Sequence, residues 1–530
     1  MQRFSRWMLL CIAILQYCGA GAQQVTASPP RHEGEGPWQQ LIIRGVTLIN
    51  GTLSPPVGPV DIVVTGNRIA EIRNVGAPGE IAPANRRPAL APGGKELNAE
   101  GMYLLPGFVD THAHIGGSQA PNAEYVFKLW MAHGVTTILD PGSMTGLSWV
   151  LEHKQKSEKN EITAPRIKAY TVFGQGSRKP IATPADAVEW VRMNAKAGAD
   201  GIKFFGSAPE IMDAAIRENK KLGLRSKMHH SQTEVGRWNA MHSARAGLTS
   251  MEHWYGLPEA LFNDRTVQNY SLKYNYSNEF DRFSEAGQLW RQAAPPYSDH
   301  WNNVMNEMLS LDFTMSPTLV IYSANRDLMR ARRAEWHEQY TLPSLWEFFS
   351  PAPGKHGSYW FSWGTEQEIE WKENYRLWMT FLNEYKNRGG RVTVGTDAGF
   401  IYQLYGFAYV SELELLREAG FHPLEVIKAA TLNGAEALGM DKEIGTVEIG
   451  KLADFVITDQ NPLENFQLLY GTGALALDAQ HKPVRLGGVK YTIKDGIIYD
   501  AKKLLADVEK IVEAEKAKTN YKIKQPGQLK

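Results

Sequence analysis

From Gly101 onwards, short apolar runs alternate with longer stretches that have the character of helices. Strands that alternate with helices pair in parallel, and eight such units are the number that closes a (β/α)8 barrel. We therefore predict an α/β fold with a TIM-like barrel over residues 101–435, interrupted by long insertions at about 258–312 and 323–390. The eight runs are 103–111, 135–139, 167–173, 201–205, 224–229, 249–253, 313–321 and 391–395.

Segments with a β pattern lie on both sides of the predicted barrel. Residues 41–100 contain short alternating runs separated by turn signals such as Asn50-Gly51, and residues 436–500 contain the hairpin signal Asp495-Gly496. Residues 23–40 have the composition of a linker. Residues 501–530 carry eight lysines against four acidic residues and are predicted to be a basic tail whose first half is helical.

The first 22 residues have the pattern of a secretory signal peptide. Arg3 and Arg6 precede an apolar run over residues 7–15, and the small residues 20–22 follow it. The run is shorter than the ~20 residues that a membrane-spanning helix needs. We therefore expect cleavage after Ala22 and export to a periplasm or the extracellular space, with an uncleaved anchor as the alternative.

The composition excludes several classes of site and partner. Cys11 and Cys18 are the only cysteines, and both lie in the predicted signal peptide, so the mature chain would have neither disulfides nor thiolate metal ligands. Lys and Arg together number 57 and so do Asp and Glu, giving a net charge of zero. This balance does not favour nucleic acid or an anionic membrane as a partner, and we expect a small-molecule substrate.

Polar side chains interrupt or close several of the predicted strands. His112 and His114 lie two residues apart, so in a strand both imidazoles would point the same way. Lys203 lies within an apolar strand, where a buried ammonium must find a partner or lose its charge. The fifth, sixth and eighth runs are closed by further candidates, and all of these side chains would meet at the C-terminal mouth of the barrel. These further candidates are His229, His253 and Asp397.

Five segments of the chain resemble those of the amidohydrolase superfamily, most closely its imidazolonepropionase-like and prolidase-like branch. They read LLPGFVDTHAH, GADGIKFFG, AGLTSMEHWYG, VTVGTDAGF and GTVEIGKLADFVI. The resemblance implies a metal-dependent (β/α)8 barrel with a small β-sandwich formed by both chain ends, here residues 41–100 and 436–500. Homo-oligomers are common in this family, and the sequence leaves the oligomeric state open.

The resemblance also implies a role for each candidate. His112 and His114 would bind a first metal, and Lys203, carboxylated by carbon dioxide, would bridge it to a second. His229 and His253 would hold the second metal. Asp397 would bind the first metal and act as general base.

Three alternatives stay open at this stage. The family spacing favours His229 over the adjacent His230 as ligand. Lys203 could instead form a structural ion pair, and the site would then hold one metal. Tyr255 could donate a hydrogen bond to a substrate carbonyl oxygen or serve only in packing.

Together these features predict an exported amidohydrolase that cleaves an amide or cyclic amide C–N bond by metal-activated hydroxide. Two divalent ions are expected, with zinc favoured by nitrogen and oxygen ligands in the absence of sulfur. Dipeptide-like, X-Pro and N-acyl amino acid substrates suit the branch. The alternatives are a lactonase or esterase with the same binuclear site, and a non-catalytic binding protein with this fold. The tryptophans of the insertions are expected to be core residues.

Overall fold

A computed structural model describes residues 25–117, 119–143, 145–352, 355, 357 and 359–524. The predicted signal peptide, residues 1–22, lies outside the described residues. The strands are β1 Gln40–Leu48, β2 Val57–Thr65, β3 Arg68–Asn74, β4 Gly76–Ala77, β5 Glu80–Ile81, β6 Lys95–Asn98, β7 Tyr103–Pro106, β8 Phe108–Asp110, β9 Val135–Asp140, β10 Arg166–Val172, β11 Gly201–Phe204, β12 Arg225–His229, β13 Ser250–Glu252, β14 Thr314–Ser316, β15 Arg391–Val392, β16 Phe455–Thr458, β17 Ala474–Leu477, β18 Pro483–Leu486, β19 Val489–Lys494 and β20 Ile497–Asp500.

Helices occupy most of the segments between the strands. They are α1 Ala123–Ala132, α2 Leu147–Glu158, α3 Pro184–Lys196, α4 Pro209–Lys221, α5 Ala240–Ala246, α6 Leu257–Ala260, α7 Glu279–Ala286, α8 Leu289–Gln292, α9 Asp299–Ser310, α10 Ser323–Arg326, α11 Leu328–Arg332, α12 His337–Tyr340, α13 Pro343–Phe349, α14 Thr365–Asn387, α15 Phe407–Glu418, α16 Pro423–Ala430, α17 Leu432–Ala437 and α18 Ala501–Thr519. Within the described ranges, no helix is both long enough and apolar enough to cross a lipid bilayer.

One curled sheet holds the eight predicted barrel strands. Strands β8 to β15 follow one another in order, and every neighbouring pair is parallel. Its two edges are joined by hydrogen bonds, because the Thr111 N–H donates to Val394 O at 2.9 Å and the Asp397 N–H donates to His112 O at 2.8 Å. The sheet therefore curls back on itself, as a TIM-like α/β fold requires.

The first and seventh predicted strands are shorter in the structure. The run 103–111 is divided at Gly107, where β7 joins another sheet and β8 begins the barrel. A Cβ at Gly107 would lie only 2.2 Å from the Thr136 hydroxyl, so glycine permits this crossing. The run 313–321 ends as a strand at Ser316, since Pro317 and the positive φ of Thr318 (48°) turn the chain into a short 3-10 helix, Leu319–Tyr322.

The two chain ends meet in a second sheet. Its strands lie in the order β20-β19-β16-β7-β1-β2-β3, with β6 also paired to β1. Apolar residues such as Ile43, Ile62, Leu104 and Phe455 form a separate core on this sheet. The structure thus brings segments 41–100 and 436–500 together in one sheet, while a two-layered sandwich stays a prediction.

The insertions are largely helical, and most of their tryptophans are buried, as expected for core residues. The side chains of Trp290, Trp301, Trp346, Trp360 and Trp371 are each at most 4% exposed. Trp336 and Trp363 are only partly buried and pack against the same core. The insertions are therefore folded parts of the main core.

A buried ionic cluster joins the barrel to the second sheet. Arg166 on β10 contacts Asp454 at 2.5 Å and Asp495 at 2.8 Å, and all three residues are less than 9% exposed. Lys494 also lies 3.3 Å from Asp495. Two carboxylates that are held so far from water depend on these cations.

We expect Arg166→Met to lower the free energy of unfolding by about 3–5 kcal/mol, because it leaves Asp454 without its cation in a buried site. Urea unfolding followed by circular dichroism measures this change. The matched control is Arg217→Met, since the Arg217–Asp213 pair is exposed and such pairs contribute at most about 1 kcal/mol. Equal effects of the two substitutions would contradict the structural role of the cluster.

Candidate metal centre

The six predicted ligands lie at or near the C-terminal ends of barrel strands. His112 and His114 follow β8, Lys203 lies in β11, and His229 ends β12. His253 directly follows β13, and Asp397 lies five residues beyond β15. The carboxyl ends of parallel strands meet at one edge of a barrel, which is the reason that residues so far apart in sequence share one site.

Three of these side chains form a compact group. The Asp397 Oδ1 atom lies 3.4 Å from His112 Nε2 and 3.3 Å from His114 Nε2. One donor atom from each of the three residues lies within 4.8 Å of the other two. Donors held 2.0–2.2 Å from one metal ion have separations of this order, so the group fits a divalent metal.

His253 extends the site on the other side of Asp397. Its Nε2 atom lies 3.8 Å from Asp397 Oδ2, and its Nδ1 atom lies 2.5 Å from the Thr318 hydroxyl oxygen. A hydrogen bond on Nδ1 sets the tautomer and orients Nε2 towards a metal, as the outer partners of ligating histidines commonly do. Both His253 and Asp397 have positive φ values, 59° and 53°. Such conformations are costly for non-glycine residues and cluster at functional sites.

His229 and His230 have different environments. The His229 ring lies 4.7 Å from the His253 ring and 5.7 Å from the Tyr255 ring, measured between centroids. His230 is fully buried, and its Nε2 atom lies 2.8 Å from the Ser243 hydroxyl. Of the two, His229 is the one that faces the candidate centre.

Lys203 has an acidic partner that the sequence analysis missed. Its ammonium group contacts the carboxylate of Glu252, which also lies 2.8 Å from Lys227 Nζ and 3.2 Å from His112 Nδ1. Glu252 and Lys227 are also buried charges within barrel strands, but their strands, SME and RSKMH, lack the apolar neighbours that singled out Lys203. The ion-pair alternative for Lys203 is therefore the arrangement that the structure describes.

The buried groups of this cluster have shifted pKa values. Burial lowers the pKa of the Lys203 ammonium to about 7, against the opposing effect of Asp397. Burial, with the nearby cations, also lowers the pKa values of His112 and His253 well below the ordinary value. Neutral imidazoles are the form that binds metal.

A second set of buried donor atoms lies beside Lys203. His112 Nδ1 and both carboxylate oxygens of Glu252 are buried and make no hydrogen bond of ordinary geometry within the described part of the chain. His112, Glu252 and His253 also form a second group of converging donors. The Glu252 oxygens have Lys203 and Lys227 as ionic partners, so it is the convergence of the donor atoms that fits one or two metal ions.

Tyr255 lies beside His229 and is fully buried. Burial raises the pKa of its phenol well above the usual range, so the hydroxyl stays protonated and can donate a hydrogen bond. The donor role of Tyr255 stays a prediction, since the ring also packs against Trp254 and Tyr322.

Comparisons with known proteins agree with the fold. A model of the Amidohydrolase family matches residues 378–498. Adenine deaminase of Deinococcus radiodurans is 27% identical over 169 residues, which are 30% of this chain and 28% of that protein. The 5-methylthioadenosine/S-adenosylhomocysteine deaminase of Thermoanaerobacter pseudethanolicus is 39% identical over 147 residues, 26% of this chain and 32% of that protein. The chain thus spans about a third or less of the length of these relatives.

Solved structures are similar over nearly the whole chain. A putative prolidase from Bifidobacterium longum is 20% identical with a TM-score of 0.58, covering 89% of this chain and all of that one. Bottromycin amidohydrolase is 19% identical with a TM-score of 0.60, covering 91% of each chain. At this identity the likeness concerns the fold, whereas the family model concerns the sequence. The fold and the family model thus agree with the resemblance to the amidohydrolase superfamily that the sequence motifs indicate.

Proposed function

We propose that the protein is a metal-dependent hydrolase that cleaves a C–N bond of an amide or cyclic amide. The observation that carries the proposal is the convergence of donor atoms from His112, His114 and Asp397 within 4.8 Å at the mouth of the barrel. The solved neighbours include a Xaa-Pro dipeptidase, and the curated relatives include deaminases and an N-acyl-D-aspartate deacylase. The names of these proteins describe cleavage of C–N bonds, which supports this reaction class.

We assign His112, His114 and Asp397 to a first metal ion, and His229 and His253 to a second. Lys203 is proposed to bridge them as a carbamate, which would require its ammonium to leave the contact with Glu252. The paired cation Lys227 would then remain as the partner of Glu252. Zinc is the expected metal because the ligands are imidazoles and carboxylates without sulfur.

The ions, when bound, would supply a Lewis acid and lower the pKa of a water molecule. Asp397 has one carboxylate oxygen near His112 and His114 and the other nearer His253, so it lies at the centre of the site. We assign it as the general base that takes a proton from the attacking water and delivers it to the departing nitrogen. Tyr255 is assigned to donate a hydrogen bond to the substrate carbonyl oxygen.

The signal pattern of residues 1–22 leads us to propose export as well. The full-length chain, expressed in a Gram-negative host, should be recovered from the periplasm with an intact mass that begins at Gln23. Recovery from the cytoplasm with all 530 residues would contradict export.

The ligand assignment predicts different effects for two adjacent histidines. His229→Asn should reduce the metal bound per chain by about one ion, whereas His230→Asn should leave metal content unchanged. Elemental mass spectrometry measures metal content, and an unfolding midpoint for each variant shows that it is folded. A loss of metal in His230→Asn alone would reverse the assignment.

The reaction class is tested by hydrolysis of N-acetyl amino acids, X-Pro dipeptides and lactones by the zinc-supplied protein. We expect cleavage of amides, with kcat lowered about 10²–10⁴-fold in Asp397→Asn, because general base catalysis contributes this much. The control is Asp264→Asn, which removes an exposed carboxylate outside the site. Cleavage of lactones alone would establish the esterase alternative, and no turnover of any substrate by metal-loaded protein would contradict a hydrolase.

A further inference from the structure

An exposed phenylalanine lies at the end of the barrel strand that carries Lys203. Phe205 directly follows β11, and two residues along a strand bring a side chain back to the same face, so Phe205 follows Lys203 on its side of the sheet. Phe204 is fully buried, whereas Phe205 is 44% exposed and is the most exposed of the phenylalanines whose side chains the structure describes. Its backbone is held in place, because the Ser231 N–H donates to the Phe205 carbonyl oxygen at 2.8 Å. The phenyl ring is therefore exposed to water at the mouth of the barrel.

The Phe205 ring lies beside the proposed ligands of the second metal. Its centre is 5.5 Å from that of the His229 ring and 5.4 Å from Lys203 Nζ. The ring of Tyr255, which is assigned to the substrate carbonyl oxygen, has its centre 5.7 Å from that of the same imidazole. A substrate whose carbonyl group lies between Tyr255 and His229 therefore brings its acyl group close to Phe205.

A second phenylalanine lies beside the proposed ligands of the first metal. Phe400 follows Asp397 by three residues, and its ring centre lies 6.0 Å from that of His114. The Phe400 ring also lies 5.6 Å from that of Phe348 on α13, so another apolar side chain supports it. Asp397, which is assigned to protonate the departing nitrogen, lies 3.3 Å from the same His114. Phe400 is therefore on the side of the site that receives the amine part of the substrate.

We propose that Phe205 and Phe400 determine substrate specificity, Phe205 by contact with an apolar acyl group and Phe400 by contact with an apolar amine group. A hydrocarbon group that displaces water from a phenyl ring is bound by the hydrophobic effect, and this contact depends on the size of the group. The inference rests on the proposed function and specifies its substrate class. These substrates are amides that carry an aromatic or branched aliphatic group on each side of the scissile bond.

The test varies one side of the amide at a time. Phenylalanyl-proline and glycyl-proline differ only in the acyl part, whereas N-acetylphenylalanine and N-acetylglycine differ only in the amine part. We expect the wild-type kcat/KM to be higher for the phenylalanine member of each pair. Phe205→Ala should lower the preference within the first pair about tenfold, the effect of a lost aromatic contact, and Phe400→Ala should do so within the second pair.

Two further variants control this experiment. Phe205→Leu keeps an apolar side chain at the mouth and should retain most of the preference for phenylalanyl-proline. Leu475→Ala removes a side chain on β17 that is 63% exposed, outside the barrel, and should change neither preference. Equal losses of kcat/KM within a pair would show that the phenylalanine only shields the ligands from water, and would overturn the inference. A wild-type enzyme without preference for the phenylalanine compounds would also overturn it.

Binding of carboxylic acids separates this result from the reaction class. Acetate and 3-phenylpropionate resemble the acids that hydrolysis releases, and calorimetry with zinc-loaded protein measures their affinities without turnover. We expect 3-phenylpropionate to bind more tightly, with a negative heat-capacity change, and Phe205→Ala to reduce the difference about tenfold even if no amide is ever hydrolysed. Equal affinities of the two acids would overturn the inference. Hydrolysis with preferences that neither phenylalanine affects would overturn the inference and leave the proposed function intact.

Discussion

The site depends on one buried carboxylate that ties the first barrel strand to the segment after the last. Asp110 Oδ1 accepts the N–H groups of His112 and Thr396 at 3.0 and 3.1 Å, and Oδ2 accepts the Thr396 hydroxyl at 2.7 Å. The N–H of Asp397 is bonded in turn to the His112 carbonyl. These bonds fix the backbone where the end of β8 meets the segment after β15. For this reason His112 and Asp397 lie side by side although their positions in the sequence differ by 285.

A second buried carboxylate supports the opposite side of the centre. Glu412 on α15 accepts the N–H groups of Leu319 and Val320 at 2.9 and 2.6 Å, so it holds the turn that begins at Thr318. Burial raises the pKa of Glu412 to about 8 against the effect of these bonds. The Thr318 hydroxyl reaches His253 Nδ1, so the turn orients a proposed metal ligand. The backbone of His112 and Asp397 and the imidazole of His253 are thereby held by residues outside the proposed ligand set.

Much of the fold was predictable because it follows from local periodicity. Each of the eight runs contributes a strand to one parallel sheet, and His112, His114 and Asp397 come together at its C-terminal edge. The break at Gly107 was not predictable, because it depends on the close approach of Thr136, a contact between different strands. The pairing of both chain ends in a single sheet also depends on tertiary contacts, and it was expected only because of the resemblance to the amidohydrolase superfamily.

The sequence did not reveal those site residues whose role depends on contacts with residues distant in the chain. Glu252 could have been singled out as a buried charge, but its contacts with Lys203, Lys227 and His112 exist only in the folded barrel. Strand-end ligands, in contrast, are marked by position alone.

The central claim is that the barrel mouth binds two metal ions bridged by Lys203. The most direct test is the metal content of residues 23–530, purified without chelator and measured by elemental mass spectrometry. We predict a value near two ions per chain, mostly zinc, with a clear loss in Lys203→Ala that small carboxylates partly restore. A value near one that Lys203→Ala leaves unchanged would contradict the bridge and leave Lys203 as the partner of Glu252. A value near zero after zinc is supplied would contradict the metal centre itself.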